Sequence, residues 1–210
     1  SCNCGKAGKE TFGYGSPLGH KLNNDNVCSF CGKSASEGLF FSLQGNEYTL
    51  IDIGTCEDTD IIIPKTYNGC PVSAIGNRAF ANCSSLTRVT IPDSIISIGF
   101  ATFSGCVDLK SVTLPDSLKS IGEQAFEQCS SLIDITIPDG VTSIGDNAFS
   151  LCSELTSVIW NAKNCTNINY DIYRPIFSNC LNLTNITIGD NVKAVSYRMF
   201  NGCSGLINIS

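Results

Sequence analysis

The chain has 210 residues, of which 42% are apolar, so it can form a substantial core. Only 15% of the residues are charged, and the net charge is −6 with no basic run. This composition argues against binding to nucleic acid or to an anionic membrane surface. No apolar stretch approaches the ~20 residues of a transmembrane helix, so direct membrane insertion is not expected.

Residues 1–38 differ in composition from the rest, because they are rich in Gly, Lys, Asn and Ser and nearly lack aliphatic side chains. Cys28-x-x-Cys31 is typical of a zinc knuckle, Cys2-x-Cys4 supplies a second pair, and His20 can replace either cysteine of that pair. A segment with so little apolar content cannot become ordered by burying a core, and a structural Zn at these residues would account for its presence. The short spacing of the first pair leaves two disulfides, or disorder, as alternatives.

Residues 39–74 are predicted to form an N-terminal cap and a first strand. Two short strands flank a Gly-Asn turn at residues 45–46, which indicates a hairpin. A hairpin there would cover the exposed core of the first repeat. The first strand follows at Ile61-Ile62-Ile63 and stops at Pro64.

Residues 75–210 contain six repeats of about 23 residues, and a fixed period of this size indicates a solenoid. One cysteine recurs at the same place in every repeat. Free cysteine is among the most buried residue types, so reduced, buried thiols are predicted, although a spacing near ~4.8 Å also permits disulfides. The repeating residues are Phe80, Phe103, Phe126, Phe149, Phe177 and Phe200, then Cys83, Cys106, Cys129, Cys152, Cys180 and Cys203, and Leu86, Leu109, Leu132, Leu155, Leu183 and Leu206.

Each repeat predicts two local structures. Ala125, Phe126, Cys129 and Leu132 have the spacing of one helical face, which predicts a short helix or a helical turn on the convex side. The alternation that follows predicts a short strand ended by Pro138. Stacked repeats therefore predict a right-handed solenoid with a parallel sheet on its concave face.

Side chains that point outward from this sheet lie two residues apart and form a small-residue polar surface. Such a surface suits a binding face, although polar residues at exposed strand positions are also ordinary for a solenoid. The candidate binding residues are Arg88, Thr90, Ser111, Thr113, Asp134, Thr136, Ser157, Ile159, Asn185 and Thr187.

The period breaks once, because Phe149 and Phe177 are 28 residues apart. An insertion in a solenoid maps to a loop on one face, often the binding face. The alternative is that the aromatic side chains of the inserted stretch only pack the bulge against the core. The candidate binding residues of this loop are Trp160, Tyr170, Tyr173 and Arg174.

The pattern Ile-Gly-x-x-Ala-Phe-x-x-Cys-x-x-Leu-x-x-Ile-x-Ile-Pro resembles the BspA-like subclass of leucine-rich repeats, the type also found in treponemal surface proteins. It departs from ordinary leucine-rich repeats after the strand, where Ser94, Ser117 or Gly140 replaces the expected Asn or Cys. The resemblance implies a surface-exposed or secreted protein that takes part in adhesion or other protein contacts.

Three hypotheses of function follow. The first is a cell-surface or secreted, adhesin-like module that binds a protein or a glycan, and the second is a structural spacer in a larger surface protein. The third, an enzyme, is disfavoured because the repeats contain no histidine and no nucleophile–base pair. The chain starts at Ser1 and stops at a strand, so we expect that a targeting segment has been removed and that the last edge permits self-association.

Overall fold

A computed structural model describes residues 34–165, 175–193, 195 and 199–210. Within these residues the backbone coils into a solenoid of about six turns made of short strands and tight turns, which confirms the predicted fold class. The strands are β1 (Phe40–Gln44), β2 (Glu47–Asp52), β3 (Asp60–Ile62), β4 (Thr66–Tyr67), β5 (Cys70–Ile75), β6 (Arg88–Thr90), β7 (Ser97–Ile98), β8 (Ser111–Thr113), β9 (Ser120–Ile121), β10 (Asp134–Ile137), β11 (Ser143–Ile144), β12 (Ser157–Trp160), β13 (Asn185–Ile188) and β14 (Asn208–Ile209).

The sheet that was predicted on the concave side consists of two parallel ladders, and we name it the front sheet. The first ladder has the order β3-β6-β8, and the second has the order β10-β12-β13-β14. Arg88 pairs with Ser111 in the first ladder, while Asp134 pairs with Ser157, which pairs with Asn185. Equivalent residues of successive repeats therefore lie side by side, as their spacing predicts.

A second sheet, the back sheet, runs along another side of the solenoid in the order β2-β5-β7-β9-β11. Its repeating part is a Ser-Ile pair, for example Ser97 and Ile98 of β7, in which the isoleucine is buried. β1 pairs antiparallel with β2, and β2 pairs in parallel with β5. The hairpin therefore extends the back sheet at its N-terminal end.

The phenylalanines and cysteines form two columns along the axis. The rings of Phe103 and Phe126 stack with centroids 5.1 Å apart, and the other neighbouring pairs lie at 5.0–5.3 Å. Every cysteine in the described part of the chain is free. The predicted reduced thiols are thus present, and those of Cys106, Cys129 and Cys152 are completely buried.

The convex side is formed by turns, and the described residues contain no helix. Around Phe80, Phe103, Phe126 and Phe149, the residues two positions before and two positions after the phenylalanine adopt left-handed φ angles, such as 58° at Gln124 and 59° at Gln128. A right-handed helix cannot include such residues. Their N–H groups instead donate to the next turn, as Gln124 N does to Asp146 O at 2.9 Å. Of the two predicted alternatives, the turn is the one that forms.

The cysteine column extends one turn further toward the N-terminus than the period indicates. Cys56 N donates to Ile53 O at 3.1 Å, just as Cys83 N donates to Phe80 O at 3.2 Å. Ile53 N also donates to Ala79 O at 2.9 Å, which joins this turn to the first repeat. Ile53 thus takes the place of the phenylalanine, and Cys56 takes the place of the repeating cysteine.

Candidate functional site

The outward-facing positions of the front sheet form a strip that crosses the repeats. Thr113, Thr136 and Thr187 are exposed at one level of the sheet, together with Ile159, which is 40% exposed. Thr136 pairs with Ile159, and Ile159 pairs with Thr187. At the neighbouring level Asn185 is exposed, whereas the remaining candidates are half-buried, namely Arg88, Ser111, Asp134 and Ser157.

Thr90 was predicted as a candidate on this strip, and the structure corrects that prediction. Thr90 is only 4% exposed, and Ile62, its partner in β3, is fully buried. Residues 34–36 run along the outer edge of β3, where Ser36 N donates to Ile62 O at 2.9 Å and Ile62 N donates to Ser36 Oγ at 3.0 Å. The accessible strip therefore begins at β8 on the threonine level.

Trp160 is a second correction, because it does not belong to a binding loop. It is the last residue of β12, where it pairs with Ile137 and Ile188 at an inward-facing position. Its side chain is fully buried, and its ring meets that of Phe177 edge-on at 6.3 Å. Trp160 packs the core of the enlarged turn and cannot contact a ligand. Tyr170, Tyr173 and Arg174 lie outside the described residues.

A groove of about 330 Å³ lies where strands of the front sheet end. Three consecutive repeats contribute to it, so it exists only in the stacked solenoid. Its lining includes three carboxylates, two threonine hydroxyls and one amide. The lining residues are Val112, Thr113, Leu114, Asp116, Asp134, Thr136, Pro138, Asp139 and Asn161, and we name this site the carboxylate groove.

Two of the carboxylates have different electrostatic surroundings. Partial burial raises the pKa of Asp134 from its ordinary value, because the charged form loses hydration. Asp139 forms a salt bridge with Lys163, with Oδ2 and Nζ 3.4 Å apart. That pair is largely exposed, so it contributes little stability. The groove consequently carries negative charge that Lys163 balances only in part.

The predicted zinc ligands Cys2, Cys4, His20, Cys28 and Cys31 lie outside the described residues. Among the residues that are described, no group of three or more His, Cys, Asp or Glu side chains has an arrangement suited to a metal ion. The part of the chain that the structure describes also contains no helix able to cross a membrane.

Comparison with models of known protein families identifies the family of this chain. The family model for the BspA type leucine rich repeat region matches residues 73–207 with six copies. The chain belongs to this family. The resemblance drawn from the repeat pattern is thereby confirmed. No curated protein gave a significant match to the sequence.

Solved structures of bacterial leucine-rich repeat proteins are similar to this chain. The leucine-rich repeat protein of T. pallidum has a TM-score of 0.72 and 26% identity, over 84% of this chain and 81% of that one. A leucine rich cell surface protein of Faecalibacterium prausnitzii has a TM-score of 0.68 and 33% identity, over 83% of this chain and 53% of that one. A leucine-rich repeat protein of Bacteroides capillosus has a TM-score of 0.54 and 35% identity, over 59% of this chain and 94% of that one.

The groove residues that follow the strands were missed by sequence reasoning. The outward strand positions Asp134, Thr113 and Thr136 were predicted, but Asp116, Asp139 and Asn161 were not. A signal was present, because an aspartate follows the proline of several BspA-type repeats, as in Pro115-Asp116 and Pro138-Asp139. The proline ends the strand, so the next side chain lies at the rim of the sheet.

Proposed function

We propose that this chain is an interaction module of a cell-surface or secreted protein, and that it binds a protein or a glycan through the front sheet. The observation that carries the proposal is the exposed strip from Thr113 to Thr187, in which Thr136, Ile159 and Thr187 lie in register on neighbouring strands. This strip adjoins the carboxylate groove. Small polar side chains with one apolar residue, Ile159, let a partner approach the backbone closely. The F. prausnitzii relative is a leucine rich cell surface protein, which supports the location.

Binding to an array of extracellular-matrix proteins, mucins and glycans tests this proposal. The full chain is compared with the triple variant Arg88→Ser, Asp134→Ser, Ile159→Thr. Other repeats already carry Ser or Thr at these positions, as Ser111, Ser157 and Thr136 show, so the variant is expected to fold. Loss of a binding signal in this variant supports the front sheet as the site.

A matched control removes the same residue types elsewhere. The variant Asp108→Ser, Lys119→Thr, Ile96→Thr also deletes one acid, one base and one exposed isoleucine. None of the three lies on the strip or in the groove. Binding that survives in the first triple variant, or that falls equally in both, would contradict the proposal.

The second candidate function is a structural spacer in a larger surface protein. The observation that favours it is the share of the F. prausnitzii chain that remains unmatched, since the similarity covers 53% of that chain. Absence of binding to every member of the array would favour the spacer. We propose no catalytic role, because the sole histidine, His20, lies outside the repeats.

A further inference from the structure

We infer that the carboxylate groove receives a long basic side chain, Lys or Arg, from a protein partner that lies along the front sheet. This inference rests on the proposed function and specifies the partner as a protein segment with a basic residue. Three features of the groove carry it: its charge, the position of Asp134 and the apolar surface beside it.

Charge complementarity is the first feature. Asp116, Asp134 and Asp139 come from two consecutive repeats and line one groove, and no basic residue lines it. Lys163 pairs with Asp139 from outside. Asp134 and Asp116 form no salt bridge with any described residue. A cation in the groove would therefore meet two carboxylates that are not already paired.

The position of Asp134 is the second feature. It is the first residue of β10, pairs with Ser157 of β12 and is half-buried. Burial without a countercharge destabilises the ionised form, and a guanidinium or ammonium group would compensate for that loss. A neutral sugar hydroxyl would hydrogen-bond the carboxylate but would leave its charge unbalanced. An anionic ligand would be repelled.

The apolar surface beside the groove is the third feature. Ile159 is 40% exposed and pairs with Thr136, two residues beyond Asp134 in the same strand. A diagonal neighbour in a sheet lies about 7–8 Å away, a distance that a long side chain spans. Lys and Arg lay their methylene stems on apolar surface while the charged head reaches a polar group. Ile159 therefore provides the contact for the stem, and Asp134 provides the contact for the head.

Two peptides that differ only in charge provide the test, with the full chain as the protein. Acetyl-Gly-Arg-Gly-amide is titrated into ¹⁵N-labelled chain, and the same peptide with citrulline, the neutral isostere of arginine, is titrated in parallel. We expect the arginine peptide to shift the amide signals of Thr136, Ile159 and Asn161, and added salt to weaken the effect. We expect the citrulline peptide to bind at least about tenfold more weakly.

Asp134→Asn and Asp108→Asn are the matched variants, since each removes one negative charge and only Asp134 lines the groove. Asp134→Asn should weaken binding of the arginine peptide by about tenfold, and Asp108→Asn should leave it unchanged. Equal binding of the two peptides, absence of shifts at the groove, or unchanged affinity in a folded Asp134→Asn chain would each overturn the inference.

The outcomes also separate this inference from the proposed function. If an array partner loses binding in the triple variant but not in Asp134→Asn, the front sheet is the site and the inference about the groove is wrong. If the peptide titration behaves as expected while no array partner binds, the groove recognises basic side chains and the proposed function is contradicted.

Discussion

The thiol of Cys129 donates a hydrogen bond to the backbone carbonyl of Phe103 in the preceding repeat, with Sγ and O 3.2 Å apart. Four other repeating cysteines donate an equivalent bond to the carbonyl of the phenylalanine in the preceding repeat, with Sγ–O distances of 3.0–3.3 Å. A thiol is a weak donor that costs little to bury. Cysteine at this position therefore fills a small apolar space and also links consecutive turns.

Replacement of Cys129 by alanine tests this double role. The variant loses the sulfur volume and the bond to Phe103, so the free energy of unfolding should fall by about 1–2 kcal/mol. Urea unfolding followed by circular dichroism measures the change. Cys70→Ala is the control, because Cys70 lies outside the column and is only half-buried. An equal loss in both variants would mean that the column has no special role.

The buried thiols should make stability fall at alkaline pH. Burial raises the pKa of Cys106 to about 12 and that of Cys129 well above the ordinary value of 9.0. Because the pKa of each thiol is higher in the folded state, the folded chain binds more protons than the unfolded chain between the unfolded-state pKa and the folded-state pKa. The contribution of these thiols to the free energy of unfolding is thus complete below about pH 9, and it is lost as the pH rises toward the folded-state pKa.

Urea unfolding across that pH range checks the sign. Each such thiol can contribute up to about 1.4 kcal/mol per pH unit within the window. The Cys129→Ala chain is measured in parallel, so that the part of the pH dependence that belongs to this thiol can be separated. Its stability should fall less steeply with pH than that of the unchanged chain, and an identical slope would refute the prediction.

The stacked phenylalanines should be the most sensitive part of the core. Phe126 is fully buried between Phe103 and Phe149, at centroid distances of 5.1 and 5.0 Å. Phe126→Ala should lower the free energy of unfolding by about 3–5 kcal/mol. Phe200→Ala should cost less, because Phe200 is partly exposed and stacks on Phe177 alone within the described residues. A similar cost at both positions would contradict the dependence on burial.

Leu151 occupies a position where its side chain is unfavourable. Its φ is 60°, whereas four other repeats place Asn or Gly there, at Asn82, Gly105, Asn179 and Gly202. Leu151→Asn should raise the melting temperature, since the left-handed backbone conformation costs about 1 kcal/mol more for leucine than for asparagine. Gly105→Ala should lower it, because the new Cβ would lie 2.5 Å from Asn82 Oδ1. Opposite signs in the two variants are the expected outcome.

The structural zinc site at the N-terminal cysteines is a prediction from the sequence alone. Elemental analysis of the full chain, purified without added metal, should find about one zinc per molecule. The double variant Cys28→Ser, Cys31→Ser should contain none. A zinc content near zero in the unchanged chain would exclude the structural site, and thiol titration would then distinguish disulfides from free cysteines.

The fold was largely predictable because the period places identical side chains in register. Phe126, Cys129 and Leu132 are fully buried, as their repetition indicates. Helix and turn could not be told apart, because the spacing that fits one helical face also fits a tight turn. The left-handed residues at Gln124 and Gln128 decide between them, and neither Gln reveals its backbone angle in the sequence.

The candidate site was predictable only in its strand positions. Alternation gave Asp134, Thr136 and Ile159 correctly as outward-facing residues. It failed at Thr90, which is 4% exposed, because tertiary packing and not alternation decides whether an outward strand position reaches solvent. It also failed for Trp160, where an aromatic residue next to an insertion was interpreted as part of the loop although it ends β12. Self-association through the last strand stays a prediction.

The backbone hydrogen bonds that join neighbouring turns, such as Phe103 N to Ala125 O at 2.7 Å, repeat along the whole stack. These bonds run along the solenoid axis from one turn to the next. A force that pulls the two ends of the chain apart would therefore break only the few bonds of one terminal turn at a time. The turns should then detach one after another. Each turn of 23 residues would release about 80 Å of extended chain, at about 3.3–3.6 Å per residue. A solenoid built this way would lengthen stepwise under tension and keep its remaining turns folded.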